Sequence, residues 1–453
     1  MKRKNAEHGI QNSEHRSRTA LRNIATKNIW VPGSLFLALF SGNAFAGETA
    51  KIDTGDTAWI LVSAALVMLM TPGLALFYGG MVRKKNVLGT LMQSFIAIAI
   101  ISLQWIFFGY TLSFGPDTGG IIGGLDWAFL NGVGVEPSSY AKTVPHLAFM
   151  IYQAMFAVIT PALISGAFAE RMKFSAYVIF ILVWTTLVYD PVCHWIWGGG
   201  WMGKLGVIDF AGGLVVHVTS GISALAAALF IGKRKGHLEE LMPPHNLPMT
   251  VLGAGLLWFG WFGFNAGSAL SSGELSAMAF VTTHIGAVSA TVTWLIIEWW
   301  HRGMPTMFGA ATGAIAGLAT ITPAAGFVSP MSALIIGVAA GGFCYLALNF
   351  KSKFGYDDTL DAFGVHGVGG MVGTIGAGLF ASAAINGVNG LFFGNPSQLF
   401  KQLMAIGVVA VYSFIISLVI FKIIDAIIGV RVCEECEENG LDIEQHGEAG
   451  YFL

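Results

Sequence analysis

Residues Asp209–Gly232 read DFAGGLVVHVTSGISALAAALFIG. One acid opens the stretch, His217 interrupts it, and no further full charge appears until Lys233. About 20 apolar residues cross about 30 Å of hydrocarbon, so the spacing predicts a membrane helix over 212–232. A carboxylate is costly in lipid, but at a helix start it accepts from free backbone N–H groups and faces the positive dipole end. Asp209 is therefore expected to cap this helix. A second stretch, DAFGVH over Asp361–His366, repeats the plan of acid, glycine, valine and histidine, and Asp361 is expected to cap in the same way. At 1.5 Å per residue, His217 lies about 12 Å beyond Asp209 and His366 about 7 to 8 Å beyond Asp361. Both imidazoles can thus reach the middle of a bilayer.

The rest of the chain shares this character. Of 453 residues 55% are hydrophobic and 11% charged, with a mean hydropathy of +0.67, which excludes a water-soluble protein and predicts an all-α integral membrane protein. Runs long enough to cross lie at 57–79, 87–114, 146–169, 176–197, 212–232, 247–270, 273–300, 305–328, 331–350, 359–381 and 403–428, eleven transmembrane helices in all. The 59 glycines suit such a chain, because small residues let membrane helices approach closely. A net charge of −2 gives no sign of a nucleic-acid partner.

Loop charges test the count independently, because Lys and Arg collect on the cytoplasmic side. Arg83, Lys84, Lys85, Arg171, Lys173, Lys233, Arg234, Lys235, Arg302, Lys351 and Lys353 fall in odd-numbered loops, against Lys142, Lys204 and Lys401 in even ones. The alternation predicts an outside N-terminus and a cytoplasmic C-terminus. The helices of His217 and His366 then enter from opposite faces, as an inverted repeat about an axis in the membrane plane requires. Residues 1–46 differ: seven of the 24 basic residues lie between Lys2 and Lys27, followed by an apolar run and Ala44-Phe45-Ala46, the pattern of a cleavable signal peptide.

Ionisable groups within a membrane are functional by default. A facing pair of neutral imidazoles, His217 and His366, can donate to and accept from a small polar molecule without a permanent charge. Two separate histidines, each bonded to a backbone carbonyl, would leave the same signature. His284 has no counterpart and is assigned to packing, whereas His146 and His194 sit at span ends that water can reach. Trp197, in HWIWGGG, is placed to hold a cation over its ring. Cys193 and Cys344 read as small core residues. Cys433 and Cys436 form a C-x-x-C without the second pair that a zinc site wants, and read as structural.

Eight segments then carry a resemblance: PGLALFYGG (Pro72–Gly80), GAFAERMKFSA (Gly166–Ala176), HWIWGGG (His194–Gly200), DFAGGLVVH (Asp209–His217), PHNLP (Pro244–Pro248), GWFGFNAGSA (Gly260–Ala269), DAFGVHGVGG (Asp361–Gly370) and GVRV from Gly429. From about Ala58 to Tyr451 the chain resembles the ammonium transporter (Amt/Mep/Rh) family, in its bacterial Amt branch. The resemblance implies eleven helices in a five-plus-five inverted repeat and a homotrimer with one pore per subunit in the cell inner membrane. It implies a membrane domain over 47–428 and a cytoplasmic regulatory tail over 429–453, where a GlnK-type signalling protein docks. By position, Trp197, Phe156 and Ser268 resemble an outer site that recruits ammonium, Phe156 and Phe264 a stacked gate, and His217 and His366 the pore pair. Asp209 matches a buried acid near the outer site. Tyr152 stands where another aromatic is expected, Cys193 replaces a small residue, and Asp190 is a variable position.

The implied function is transport of ammonium or its analogue methylammonium. An ion is costly in an apolar pore and ammonia is not, so the cation must be deprotonated between vestibule and pore. Potassium has no proton to give up. No cofactor is implied. Two other readings remain: an ammonium sensor of the same fold, and a membrane haem protein in which both histidines ligate one iron. An enzyme is not expected, since neither H-E-x-x-H nor G-x-S-x-G occurs at a membrane helix.

Overall fold

A computed structural model describes residues 51–451; the segment read as a signal peptide, 1–46, lies outside the described residues. Among the described residues, ten helical stretches are long and apolar enough to cross a membrane. In chain order they are α1 (Thr54–Met81), α2 (Lys84–Phe114), α3 (His146–Phe168), α4 (Phe174–Lys204), α5 (Gly213–Ile231), α6 (Leu247–Gly267), α7 (Glu274–Arg302), α9 (Pro330–Lys351), α10 (Phe363–Phe380) and α11 (Pro396–Ile428), with a shorter apolar α8, Met307–Ile321. The span expected at 305–328 is thus a 15-residue helix. Pro323 cannot continue it, and the residues beyond form a buried turn whose Pro323 carbonyl accepts from the Phe210 N–H at 3.1 Å. That contact ties the end of α8 to the approach to α5.

The helices of the two histidines are broken at their starts. Gly212, at φ 119°, turns the chain into α5, and the first turns of α5 and α10 are π-helical over Gly213–Val218 and Phe363–Gly367. Such turns recur at functional sites because they re-aim side chains. Asp209 caps as expected: its carboxylate accepts from Gly212, Gly213, Leu214 and Val215 at 2.7 to 3.1 Å. Asp361 does not. Asp358 accepts from Ala362 and Phe363 instead, at 3.1 and 2.8 Å. Asp358 stands eight residues before His366 (366 − 358), as Asp209 stands eight before His217 (217 − 209). The nearest acid in the motif was the wrong one, because capping reach is set by the turn and not by the shortest spacing.

Where α5 and α10 cross, a methyl on Gly221 would lie 2.0 Å from the Gly367 nitrogen. Only glycine permits main chains this close, and the crossing carries His217 and His366 to each other.

At the tail end of the bundle, Arg171 is fully buried and gathers several segments. Its guanidinium donates to the carbonyls of Ala167 (2.9 Å), Ala169 (3.2 Å), Gly232 (2.9 Å) and Asp357 (2.6 Å) and to the Thr359 hydroxyl (2.5 Å). Beside it Glu170 pairs with Arg83 and Arg234, and Arg234 with Asp357. Burial raises the Asp357 carboxyl, but the Arg234 bond and the Arg171 and Arg234 charges outweigh it and hold the group well below the usual carboxylate range. The tail helices α12 (Glu434–Asn439) and α13 (Leu441–His446) lie against this end. Asp442 accepts from the Leu88 and Gly89 N–H groups at the start of α2, and Glu437 pairs with Arg431. Cys433 and Cys436 are joined as a disulfide.

Candidate functional site

His217 and His366 are 1% and 3% exposed, with rings stacked at 5.2 Å between centroids and 17° between planes. Among the described residues, neither ring nitrogen of His217 nor Nδ1 of His366 has a hydrogen-bond partner. The alternative of two histidines separately tied to carbonyls therefore does not hold. Their free polar atoms face a narrow lumen whose other walls are mainly apolar, including Leu74, Ile159, Leu163, Val216 and Leu257, with Tyr78 and Asp361 also lining it. In such surroundings an unmatched nitrogen costs free energy until a guest supplies its partner.

A line of rings leads into this lumen. Trp197 meets Phe156 edge-on at 6.0 Å. Phe156 lies over Phe264 at 4.2 Å, and Phe264 faces His217 at 6.1 Å. Phe156 and Phe264 are each 1% exposed, whereas Trp197 is half-buried, so the two phenylalanines separate the lumen from an open pocket of about 290 Å³ lined by Trp197, Ser268, Tyr140, Gln153 and Phe210. A cation held in that pocket meets a ring and a hydroxyl; just beyond the phenylalanines it meets mainly hydrocarbon and imidazole.

Each member of the line is held from outside it. Trp197 Nε1 donates to the Asp209 carbonyl at 2.8 Å, and Ser268 Oγ donates to the Phe264 carbonyl at 2.9 Å. The Asp209 carboxylate is 6% exposed and spent on the cap. One residue thus fixes both the Trp197 ring and the turn bearing His217. Hydrogen bonds to charged groups contribute about 1.5 to 3 kcal/mol each, so Asp209→Ala is expected to cost about 3 kcal/mol or more of stability. Thermal unfolding of the variant in detergent checks this, and a midpoint equal to wild type would refute the cap.

One residue of the site went unnoticed in the sequence, and a second, Tyr152, was noticed only as an aromatic. Trp261 stacks on His217 at 5.6 Å and 25°, held by its Nε1 bond to the Thr322 hydroxyl at 2.9 Å. It lies three residues before Phe264, and that helical spacing, which puts both on one face, was the available signal. Tyr152 packs on Phe156 at 5.0 Å, and its hydroxyl donates to the Phe264 carbonyl at 2.9 Å and lies 3.2 Å from Ser268 Oγ. A phenylalanine could make the ring contact but not these bonds.

Other expectations shift. Asp190 and Cys193 are fully buried and do not line the Trp197 pocket; Gln104 and Ser113 donate to the Asp190 carboxylate. His194 and His146, expected to meet water, are buried. His194 contacts the Ser113 carbonyl and Asp117, and His146 bonds Tyr110. In its loop, Asp117 is held down to about 2 by bonds from His194 and Lys204. His284, assigned to packing, lies exposed on the surface of this chain beside Trp258.

Comparison with known proteins agrees with this geometry. Residues 58–451 match the model of the Ammonium Transporter Family. The ammonium transporter of Bacillus subtilis is 53% identical over 400 residues, which cover 88% of this chain and 98% of that one. Among solved structures, Mep2 of Saccharomyces cerevisiae superposes with a TM-score of 0.81 at 36% identity, over 85% of this chain and 89% of that one. A structure described as a sensor Amt protein gives 0.81 at 30% identity, over 86% and 98%. The model match spans most of the sequence, and with it the vestibule, the ring line and both histidines: the chain belongs to the ammonium transporter family.

Proposed function

We propose that this protein carries ammonium across the cell inner membrane as ammonia, and that it is not an enzyme. Trp197, Phe156 and Ser268 recruit the cation, Phe156 and Phe264 gate it, and the neutral base passes His217 and His366 after losing its proton. The observation that carries this reading is the stacked imidazole pair, unpartnered among the described residues in a mainly apolar lumen and separated from the Trp197 pocket by the two phenylalanines. An uncharged molecule with one lone pair and three N–H groups suits such a pair, and an ion does not.

The Trp197 pocket faces outside and the tail lies in the cytoplasm, in keeping with the loop charges. The matched caps at Asp209 and Asp358, each eight residues before a pore histidine, support a five-plus-five inverted repeat of eleven spans. The working unit is a homotrimer, and a GlnK-type regulatory protein docks at the tail, 429–453. Segment 1–46 is a signal peptide and 47–428 the membrane domain.

Pulses of ammonium and methylammonium on reconstituted protein test the proposal: saturable flux is expected for both and none for potassium. Equal potassium flux, or no ammonium flux, overturns it. The likeness to a sensor Amt protein keeps a sensing role as the second reading, and that role predicts binding with negligible flux. The haem reading is not favoured, because the rings lie face to face at 5.2 Å with no gap for a porphyrin between nitrogens aimed at one iron.

A further inference from the structure

Asp361 has no task in the scheme above. Asp358 supplies the cap for the helix of His366, yet Asp361 lines the same lumen as both histidines, at its tail end. Its backbone sits at φ 63°, a conformation that costs a non-glycine residue about 1 kcal/mol or more and persists only where the surroundings hold it.

The Asp361 carboxylate binds the Lys351 ammonium. The same ammonium donates to the Asp358 carbonyl at 2.8 Å. Of the neighbouring groups, the Asp358 carboxylate is spent on two N–H groups and acts on the lysine only through its charge, and the Tyr78 hydroxyl donates to the Leu163 carbonyl at 3.0 Å. The lysine and aspartate side chains are 23% and 12% exposed, so the pair borders the lumen through Asp361 without being sealed from water. A lysine head is an ammonium ion with one hydrogen replaced by an alkyl arm, as methylammonium is. Lys351 therefore displays what these two oxygens bind.

We infer that Asp361 and the Asp358 carbonyl form a cation subsite at the inner mouth of the pore, and that Lys351 is its tethered occupant, excluding free ammonium that arrives from the cytoplasm. The inference rests on the proposed transport and orientation. Neutral ammonia leaving the histidines needs no cation site. Ammonium moving outward must displace a group tethered at an effective concentration of about millimolar or more. The lysine thus raises the ammonium concentration at which the cytoplasmic face saturates.

The test uses the full chain in right-side-out and inside-out membrane vesicles, with labelled methylammonium as the probe. Lys351→Met keeps the stem and removes the charge. It is expected to lower the half-saturating methylammonium concentration at the cytoplasmic face relative to that at the outer face about tenfold, equivalent to about 1.4 kcal/mol. Lys351→Arg should keep the wild-type ratio. An unchanged ratio in Lys351→Met overturns the inference. A second measurement does not depend on flux: in purified Lys351→Met protein, carbodiimide modification of Asp361, read by mass spectrometry, should be slowed by ammonium chloride. No slowing overturns the subsite. Wild-type vesicles without methylammonium flux in either orientation would remove the transport proposal, and the labelling result then decides the subsite by itself.

Discussion

Replacing both His217 and His366 by alanine is expected to lower ammonium flux about 30- to 150-fold while the protein still folds. Apart from Tyr78 and Asp361, the lumen around the pair offers almost nothing else to a polar guest, since Val216, Leu257, Ile159 and Leu163 line it. Each neutral hydrogen bond contributes about 1 to 1.5 kcal/mol net, so two contribute about 2 to 3 kcal/mol, and each 1.36 kcal/mol is a factor of ten in rate. Folding should survive, because among the described residues neither ring nitrogen of His217 nor Nδ1 of His366 has a hydrogen-bond partner. The checks are initial uptake rates in proteoliposomes and elution of the variant in detergent. Wild-type uptake with intact discrimination against potassium would end the case for the pair.

Arg171→Ala should be the most destabilising single change outside the lumen. The guanidinium is fully buried and is shared among carbonyls of three segments and a hydroxyl. Its removal leaves those carbonyls unmatched and takes a positive charge from beside buried Asp357. Removing one partner of a buried charged cluster costs about 3 to 5 kcal/mol. Arg171→Lys should recover only part of this, because an ammonium has three donors and no planar fork. Thermal or denaturant unfolding in detergent measures both variants; wild-type stability in either would show that the knot contributes little.

Much of this was readable in advance. The apolar runs anticipated most of the helices, and the acid-to-histidine segments anticipated which two would bring their histidines together. Trp197, Phe156, Phe264 and Ser268 were placed by resemblance, and the structure brings them into one line with His217. The misses share a cause: they depend on three-dimensional reach rather than on pattern. Hydropathy cannot tell a buried turn from the end of a helix, so the 305–328 run hid the stop at Ile321. Asp358 and Asp361 are equally acidic in sequence, and only the turn decides which carboxylate meets free N–H groups. Arg171 counted as one more positive loop residue, although its partners lie up to 188 positions away. Trp261 looked like one aromatic among many until its ring was seen against His217.

The glycine contact between residues 221 and 367 has a consequence for how such a conduit can change. Because main chain touches main chain there, the interval between the imidazoles is a property of the scaffold and does not depend on the bulk of the surrounding side chains. The bore can therefore be widened or narrowed by exchanging wall residues such as Leu257 or Ile159 without spreading the two bases apart. A guest larger than ammonia could be admitted by trimming the wall, with the recognition element left untouched.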